Sequence, residues 1–366
     1  MFFSVENAYI WCYIVFTSYE NVYVEKEGLK LSYTIKDVAK KANVSVATVS
    51  RILNNLPGYS EKTKEKVLQV IAEMGYQPNA IARGLINKKT KTLGVLLPAV
   101  SDTFASVVLS GIEDMAHELD YSVMVCNTDK DGKRTMKYLQ ALREKQVDGI
   151  VFVSEFFKEE YYNAIIAMDL PVVLVSTKSQ YDVPFIKVDD KKAVFDGVTY
   201  LLERGHRSIG MIAGTKGDPI ATLPRIEGYK KALQDNGISV DKRKIAFGDF
   251  GFESGITAAK ELLDHNEGLT AIFCSSDEMA AGALSYLYRI SIRVPDQISI
   301  IGYDNTKVAE MAIPPLTTVG QPLYEMGKNA VKMLLDRETE ESQSVFMPHH
   351  IVERETVKVI EKEEAE

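Results

Sequence analysis

Apolar positions along this chain follow two regimes. Between Thr34 and Met74 they recur at helical spacing in three short runs. Ile35, Val38, Ala39 and Ala42 give the first helix one apolar face, with Thr34 and Asp37 placed as a capping box ahead of it. Asn43 falls where the chain must turn, and Asn tolerates the left-handed conformation. Ser45 caps a second helix whose inner side is Val49, Ile52 and Leu53, leaving Val46, Ala47, Ser50 and Arg51 outward. The third helix, Glu61 to Met74, closes a small core with Val67, Val70, Ile71 and Met74.

From Thr92 the pattern changes to compact apolar blocks alternating with amphipathic stretches. LGVLLP, YSVMVCN, GIVFVS and PVVLVS form one set of predicted strands. SIGMIAG, KIAFGD, AIFCSS and ISIIGYD form a second. Stretches of helical period intervene, such as Phe104 to Leu119 and Ala193 to Glu203. Val- and Ile-rich strands alternating with helices mean parallel sheets covered on both faces. The predicted fold class is therefore α/β: a three-helix head, then two doubly wound parallel-sheet lobes. IPPLTTVGQP (Ile313 to Pro322) is expected to return the chain to the first lobe, and Val352 to Val359 to add a last strand. Ligands bind such sheets beyond the carboxyl ends of the strands, here in the cleft between lobes.

Charge separates the same two regions. The chain carries a formal −8, yet Tyr33 to Thr92 holds eleven Lys/Arg against four Asp/Glu, a net of +7, so the remainder carries −15. A cationic two-helix head on an acidic body is the footprint of a phosphate-binding module attached to a non-DNA domain. The second helix of a helix-turn-helix enters the major groove. Three scattered cysteines (Cys12, Cys126, Cys274) lack metal-ligand spacing and suit a reducing cytoplasm. No metal site, cofactor motif or enzyme signature such as G-x-S-x-G, a Walker loop or H-E-x-x-H is present. GTKGDP (Gly214 to Pro219) lacks the dinucleotide fingerprint and reads as a cleft-rim loop.

T-I-x-D-V-A from Thr34, V-S-x-x-T-V-S-R-x-L-N from Val44, and G-Y-x-P-N-x-x-A-R-x-L from Gly75, followed by a long α/β body, resemble the LacI family of bacterial repressors. The likeness runs from Tyr33 onward and is strongest to its catabolite control and maltose-type sugar repressors. The resemblance implies DNA contacts from Thr34, Ser45, Val46, Ala47, Thr48, Ser50, Arg51, Asn54 and Tyr76. It also implies a hinge helix after Pro78, where Asn79, Ala82 and Leu85 reach the minor groove and Leu85 wedges between base pairs. Lys88, Lys89 and Lys91 follow as phosphate contacts or a solvated linker. Arg225, in R-x-x-G, matches the family's sugar-binding arginine, and Asp304 in GYDN its sugar-binding acid. Phe250 stands where relatives stack an aromatic on the ligand, with Asp189 and Phe104 as weaker candidates. Ser276 replaces an Asn common in sugar repressors, and Asp277 beside it is expected to cap a helix.

The expected organisation is thus a head over 33–78, a hinge and linker over 79–91, an effector-binding and dimerisation body over 92–360, and an acidic tail over 361–366. Residues 1–32 do not fit the family. Ala8 to Phe16 is apolar but too short to span a bilayer. The segment is either a disordered extension or untranslated, with initiation near Leu31, since Glu25 to Gly28 can be encoded by a ribosome-binding sequence. The implied protein is a cytoplasmic, non-enzymatic, homodimeric regulator. Its partners are a pseudo-palindromic operator and a small sugar, without cofactor, metal or membrane. The alternative is a catabolite regulator that answers to a phosphorylated carrier protein, because DNTKVAEM (Asp304 to Met311) resembles the segment those regulators use, with Lys307 in place of Arg.

Overall fold

The computed structural model describes residues 33–76, 89–128, 133–336 and 343–360. Residues 1–32, the hinge positions Asn79, Ala82, Leu85 and Lys88, and the acidic tail 361–366 lie outside the described residues. The chain divides into two compact units, Met1–Ile86 and Asn87–Glu366.

The first unit is the three-helix head: α1 (Ile35–Ala42), α2 (Val46–Leu53) and α3 (Glu61–Met74). Thr34 N and Oγ1 both donate to Asp37 Oδ2, at 2.9 and 2.7 Å, so the predicted box closes from its acidic side. Asn43 adopts the left-handed conformation, φ 54°. Ser45 Oγ accepts from Thr48 N at 3.0 Å and starts α2. Ser60 caps α3, and Gly75 ends it at φ 60°. Val38, Ala39, Ala42, Val49, Ile52, Val67 and Val70 form the buried centre. Three short helices bury little apolar surface each, so an interhelical ion pair, Lys41 Nζ to Glu73 at 3.0 Å, adds only surface-level support.

The second unit holds two six-stranded sheets. The first has the order β11-β5-β4-β3-β1-β2, with β1 Thr92–Leu97, β2 Ser122–Asn127, β3 Gly149–Val153, β4 Val172–Val175, β5 Phe185–Val188 and β11 Val345–Met347. All its pairings are parallel. The second has the order β12-β10-β9-β8-β6-β7, with β6 Ile209–Ala213, β7 Ile245–Phe247, β8 Ala271–Cys274, β9 Ser299–Asp304, β10 Thr318–Gly320 and β12 His350–Val352. Only β12 runs antiparallel in it. Helices α4 (Thr103–Glu118), α5 (Thr135–Glu144), α6 (Glu159–Ile166) and α12 (Leu323–Leu335) cover the first sheet. Helices α7 (Asp190–Glu203), α8 (Thr222–Asp235), α9 (Phe252–His265), α10 (Asp277–Arg289) and the short α11 (Lys307–Met311) cover the second. One apolar layer runs under α4, α12, α7 and α8 through both lobes. The outer faces have separate layers of their own.

The two predicted strand sets are thus the two sheets, with corrections at the seams. Thr318–Gly320 still belongs to the second sheet, so the chain re-enters the first lobe only after Gln321 and Pro322. The last strand is His350–Val352. Beyond it, Thr356 ties the chain to the second sheet, its Oγ1 donating to Ile300 O and its carbonyl accepting from Ile300 N at 2.8 Å. The lobes are joined three times: at Asp189–Asp190 between β5 and α7, at Gln321–Pro322 between β10 and α12, and between β11 and β12. Thr90 N and Lys91 N donate to the two oxygens of Asp148, at 3.0 and 2.7 Å, which anchors the chain where it enters β1. Lys91 therefore belongs to the body, its Nζ 4.3 Å from the Tyr121 ring centroid.

Candidate functional site

The head presents its candidate DNA residues on α2. Val46, Ala47 and Arg51 are exposed, while Val49 and Ile52 are buried, as the helical period requires. The polar candidates have local partners: Thr48 Oγ1 lies 2.8 Å from Ser45 Oγ, and Asn54 Nδ2 donates to Ser50 O at 2.8 Å. Tyr76 packs against the head core. The Arg51 guanidinium lies over Gly58 in the α2–α3 loop, where φ is 114° and an added Cβ would come 2.9 Å from Nη1. Glycine there meets both requirements, positive φ and room for the arginine.

In the body, a cavity of about 230 Å³ opens at the carboxyl ends of the strands, between the lobes. Arg225, on α8, lines it and is buried. Arg225 Nε donates to Asp190 Oδ1 at 2.9 Å, and Nη1 donates to Ser275 O at 2.5 Å. Its guanidinium carbon stands 3.9 Å from the Tyr303 ring centroid and 5.7 Å from that of Phe250. Burial opposes the charge, but Asp190, Tyr303 and Asp304 outweigh it and hold the guanidinium's pKa above its ordinary value.

Asp190 has more than one partner. Its Oδ1 also accepts from Tyr303 Oη at 3.2 Å, and its Oδ2 stands 3.0 Å from the buried Lys187 Nζ as an ion pair. Lys187 belongs to β5 in the first lobe, and Tyr303 to β9 in the second. Asp190 thus gathers both lobes at the first crossover.

Asp304, the last residue of β9, holds φ 116° and accepts from Gln321 Nε2 at 2.7 Å. Burial pushes its carboxyl well up, against the pull of Arg225. Gln321 sits at the second crossover, so two of the three lobe connections touch the polar lining directly. Phe250 adopts φ 71°, and its ring packs where a Cβ on Gly214 would meet it at 2.0 Å. Only glycine at the end of β6 leaves room for the ring beside the cavity. Ser276 Oγ donates to Phe250 O at 2.8 Å and accepts from Met279 N at 3.1 Å, so it caps α10 while lining the cavity. Phe104 lines the cavity from the other lobe.

Two assignments change. Asp189 is exposed and caps α7 through Lys192 N at 3.1 Å; the cavity is lined by its neighbour Asp190. An N-cap side chain folds back onto its own helix, whereas the next residue is free to face the partner helix. Asp277 does not cap α10, since Ser276 does. Its buried carboxylate accepts from Thr306 N at 2.7 Å, Thr306 Oγ1 at 3.1 Å and Thr318 Oγ1 at 2.6 Å.

Several lining residues escape a sequence reading. Glu155 accepts from Thr128 and Thr135 hydroxyls at 2.7 and 2.8 Å, and burial raises its pKa. Glu278 Oε1 accepts from Thr103 Oγ1 at 2.8 Å and Thr103 N at 3.3 Å, tying α10 to α4 across the cavity. The Gly214–Pro219 loop contributes Asp218, whose oxygens accept from Ile220, Ala221 and Thr222 N–H groups. A separate hollow of about 390 Å³ between Ile165 and Met333 includes the entry to β4 and gathers no such polar set. Among the described residues no group of His, Cys, Asp and Glu is arranged to hold a metal, and no helix is long and apolar enough to cross a membrane.

Comparison with known proteins agrees with this division. Residues 34–79 match bacterial regulatory proteins of the lacI family, and residues 198–357 match a periplasmic binding protein-like domain. Catabolite control protein A of Priestia megaterium is 40% identical over 332 residues, covering 90% of this chain and 100% of that protein. The Lac repressor dimer bound to operator and the anti-inducer ONPF superposes with a TM-score of 0.82 at 28% identity, covering 89% of this chain and 99% of that one. The regulator CelR in complex with cellobiose gives 0.68 at 29% identity, covering 88% and 99%. Full-length identity at this level, with a helix-turn-helix head and a two-lobed body in the same order, places the chain in the LacI family of bacterial transcriptional regulators.

Proposed function

We propose that this regulator acts in the cytoplasm as a homodimer on a pseudo-palindromic operator, repressing genes of sugar uptake or breakdown until a small sugar enters the cleft. The observation that carries the proposal is the convergence of Arg225, Asp304 and Phe250 on one cavity at the strand ends. A guanidinium edge and a carboxyl suit paired hydroxyls, and a ring suits the C–H face of a pyranose. The volume, about 230 Å³, falls below the roughly 300–1,000 Å³ of drug-sized pockets and fits a ligand of monosaccharide scale.

Coupling follows from linkage. The sugar favours one lobe arrangement and DNA another, so each weakens the other by the same factor. The crossover residues Asp190 and Gln321 are bonded to the ligand-facing groups Arg225 and Asp304, which supports a path from pocket to lobe angle. Val46, Ala47 and Arg51 read base edges in this proposal, Thr34, Ser45, Thr48, Ser50, Asn54 and Tyr76 support or contact the backbone, and Asn79, Ala82 and Leu85 serve the minor groove.

The test is operator selection from random duplexes, followed by release with a sugar panel. Arg225→Ala keeps operator binding and loses release, by at least about 2 kcal/mol of effector affinity. A variant still released at the wild-type sugar concentration sinks the pocket assignment.

One observation favours a second controller. Met311, which ends α11, and Ile313 just beyond it are 76% and 91% exposed, an apolar protrusion one turn from the Lys307–Glu310 ion pair that suits docking of a phosphorylated carrier protein. A pull-down with phosphorylated and unphosphorylated carrier protein separates that mode from direct sugar control.

A further inference from the structure

Asp148 spends both carboxylate oxygens on the chain that leads out of the body. Its Oδ1 accepts from Thr90 N at 3.0 Å and its Oδ2 from Lys91 N at 2.7 Å. Both bonds are charge-assisted and both go to backbone, so they fix the path of the main chain itself. The same two residues are held from other sides. Thr90 Oγ1 donates to Gln146 O at 2.8 Å, between α5 and β3. Lys91 Nζ donates to Leu119 O at 3.5 Å, at the end of α4, and stands 4.3 Å from the Tyr121 ring centroid. Lys91 O accepts from Ser122 N at 2.8 Å, at the start of β2. Lys91 adopts φ 54°. A residue with a side chain keeps such a conformation only where its surroundings over-determine it.

An anchor for β1 alone does not need this carboxylate. β1 starts at Thr92, where pairing with β2 and β3 begins and Asp148 N already donates to Thr92 O at 2.8 Å. The Asp148 side chain extends the fixed region two residues outward, to Thr90. Leu85, which serves the minor groove in the proposed function, stands five residues before Thr90 and seven before Thr92. Five residues reach at most about 18 Å and seven about 25 Å, so the clamp shortens each tether by about 7 Å. One base pair advances a half-site by about 3.4 Å and turns it by about 35°. The slack that Asp148 removes is thus the equal of about two base pairs.

We propose that Asp148 sets the half-site spacing this regulator accepts, by pinning Thr90 and Lys91 so that the two linkers of a dimer leave the body at fixed points. This rests on the proposed homodimer on a pseudo-palindromic operator and adds what fixes the separation of the operator's halves. Two tethered heads bind jointly with most strength when the tether matches the span, and a short, stiff tether makes that optimum narrow. Asp148 is a positioning residue: it acts through the linker backbone and needs no contact with DNA.

Gel shifts with the full-length protein test this on a duplex that the wild type selects from random sequence, and on versions with one base pair added or removed between the half-sites. The wild type binds the altered spacings about tenfold or more weakly than the selected one, and Asp148→Ala about threefold or less. The ratio compares duplexes on one protein sample, so a smaller folded fraction does not move it. Thr90→Val removes only the hydroxyl bond to Gln146 O and is expected to give an intermediate ratio. If Asp148→Ala does not fold, Thr90→Val decides. A wild-type ratio in Asp148→Ala, or in Thr90→Val where that variant decides, overturns the role of Asp148. A wild type indifferent to spacing overturns the spacing claim while leaving operator binding standing. Selection of single half-sites, or of no duplex, overturns the dimeric operator reading and this inference with it.

Discussion

Asp190 and Arg225 meet at 2.9 Å across the first lobe crossover, both of them buried. The contact joins the α7 N-terminus to the side of α8, and Lys187 on β5 completes it from the other lobe. Removing one member of a buried pair leaves an uncompensated charge, which costs about 3–5 kcal/mol. Asp190→Ala is expected to lose stability on that scale, because it strands two cations and the Tyr303 hydroxyl together. Urea unfolding of the full chain reads it; a midpoint within error of wild type means that water replaces the carboxylate.

Thr103 and Glu278 give a smaller, separable effect. Thr103 opens α4 in the first lobe and Glu278 lies in the first turn of α10 in the second. Their contact ties the lobes through side chains rather than through the chain itself. Glu278→Ala frees the Thr103 amide and hydroxyl, a loss of about 1.5–3 kcal/mol for hydrogen bonds to a charged group. Hydrogen exchange of residues 103–106 is expected to speed up in this variant, with the β8 amides unchanged. Equal protection in both proteins excludes a latch at this contact.

Asp277 makes stability depend on pH. Burial pushes its carboxyl up to about 6, against the donors Thr318 and Thr306 that pull it down, and Asp304 shifts in the same direction. A folded-state value above the unfolded one, about 3.9, means that the native state binds the proton more tightly. Its contribution is full below about pH 4 and is lost as pH rises through 6, on the order of 2–3 kcal/mol. Asp277→Asn removes this term and keeps an oxygen for Thr306. The stability difference between variant and wild type therefore grows in the variant's favour from pH 4.5 to 7 by roughly that amount. Parallel pH profiles mean that Asp277 stays ionised throughout.

Where local chemistry decided the fold, the sequence was legible. Helix α3 runs over the residues its apolar stripe marks because Ser60 starts it and Gly75 stops it. Six of the eight apolar blocks became central strands because a strand buried on both faces needs little else, while YSVMVCN and KIAFGD became the edge strands β2 and β7. The short strands were not legible: β10, between β12 and β9, and the edge strand β11 have three residues each, too few to show a period. β5 carries Lys187 in its middle, which reads as a solvated position unless the buried acid three residues on is known. Asp189 and Asp190 are the same residue type side by side. Which one caps and which one meets Arg225 depends on where α7 begins, and periodicity locates a helix start only to within a residue or two.

Arg51 carries the last prediction. It is exposed on α2, one turn beyond Val46 and Ala47, which have no side-chain hydrogen-bonding groups and can touch only a thymine methyl or exclude bulk. An arginine can serve as a phosphate clamp or as a fork on guanine O6 and N7, and the two roles respond differently to lysine. A phosphate needs charge, which lysine supplies; a guanine fork needs two parallel donors, which lysine lacks. Arg51→Lys is expected to keep the salt dependence of operator binding and to flatten preference at one base pair per half-site, at about 1–3 kcal/mol. Gly58→Ala is expected to act in the same direction. Its φ of 114° strains any side chain, and its Cβ would crowd the guanidinium from 2.9 Å. The two defects share a cause, so the double variant is expected to lose less than the sum of the single ones. Gel shifts on operators varied one position at a time, at two salt concentrations, decide the matter. If Arg51→Lys binds every operator as the wild type does while Arg51→Ala weakens all of them alike and lowers the salt slope by about one, Arg51 holds phosphate and specificity lies elsewhere on α2.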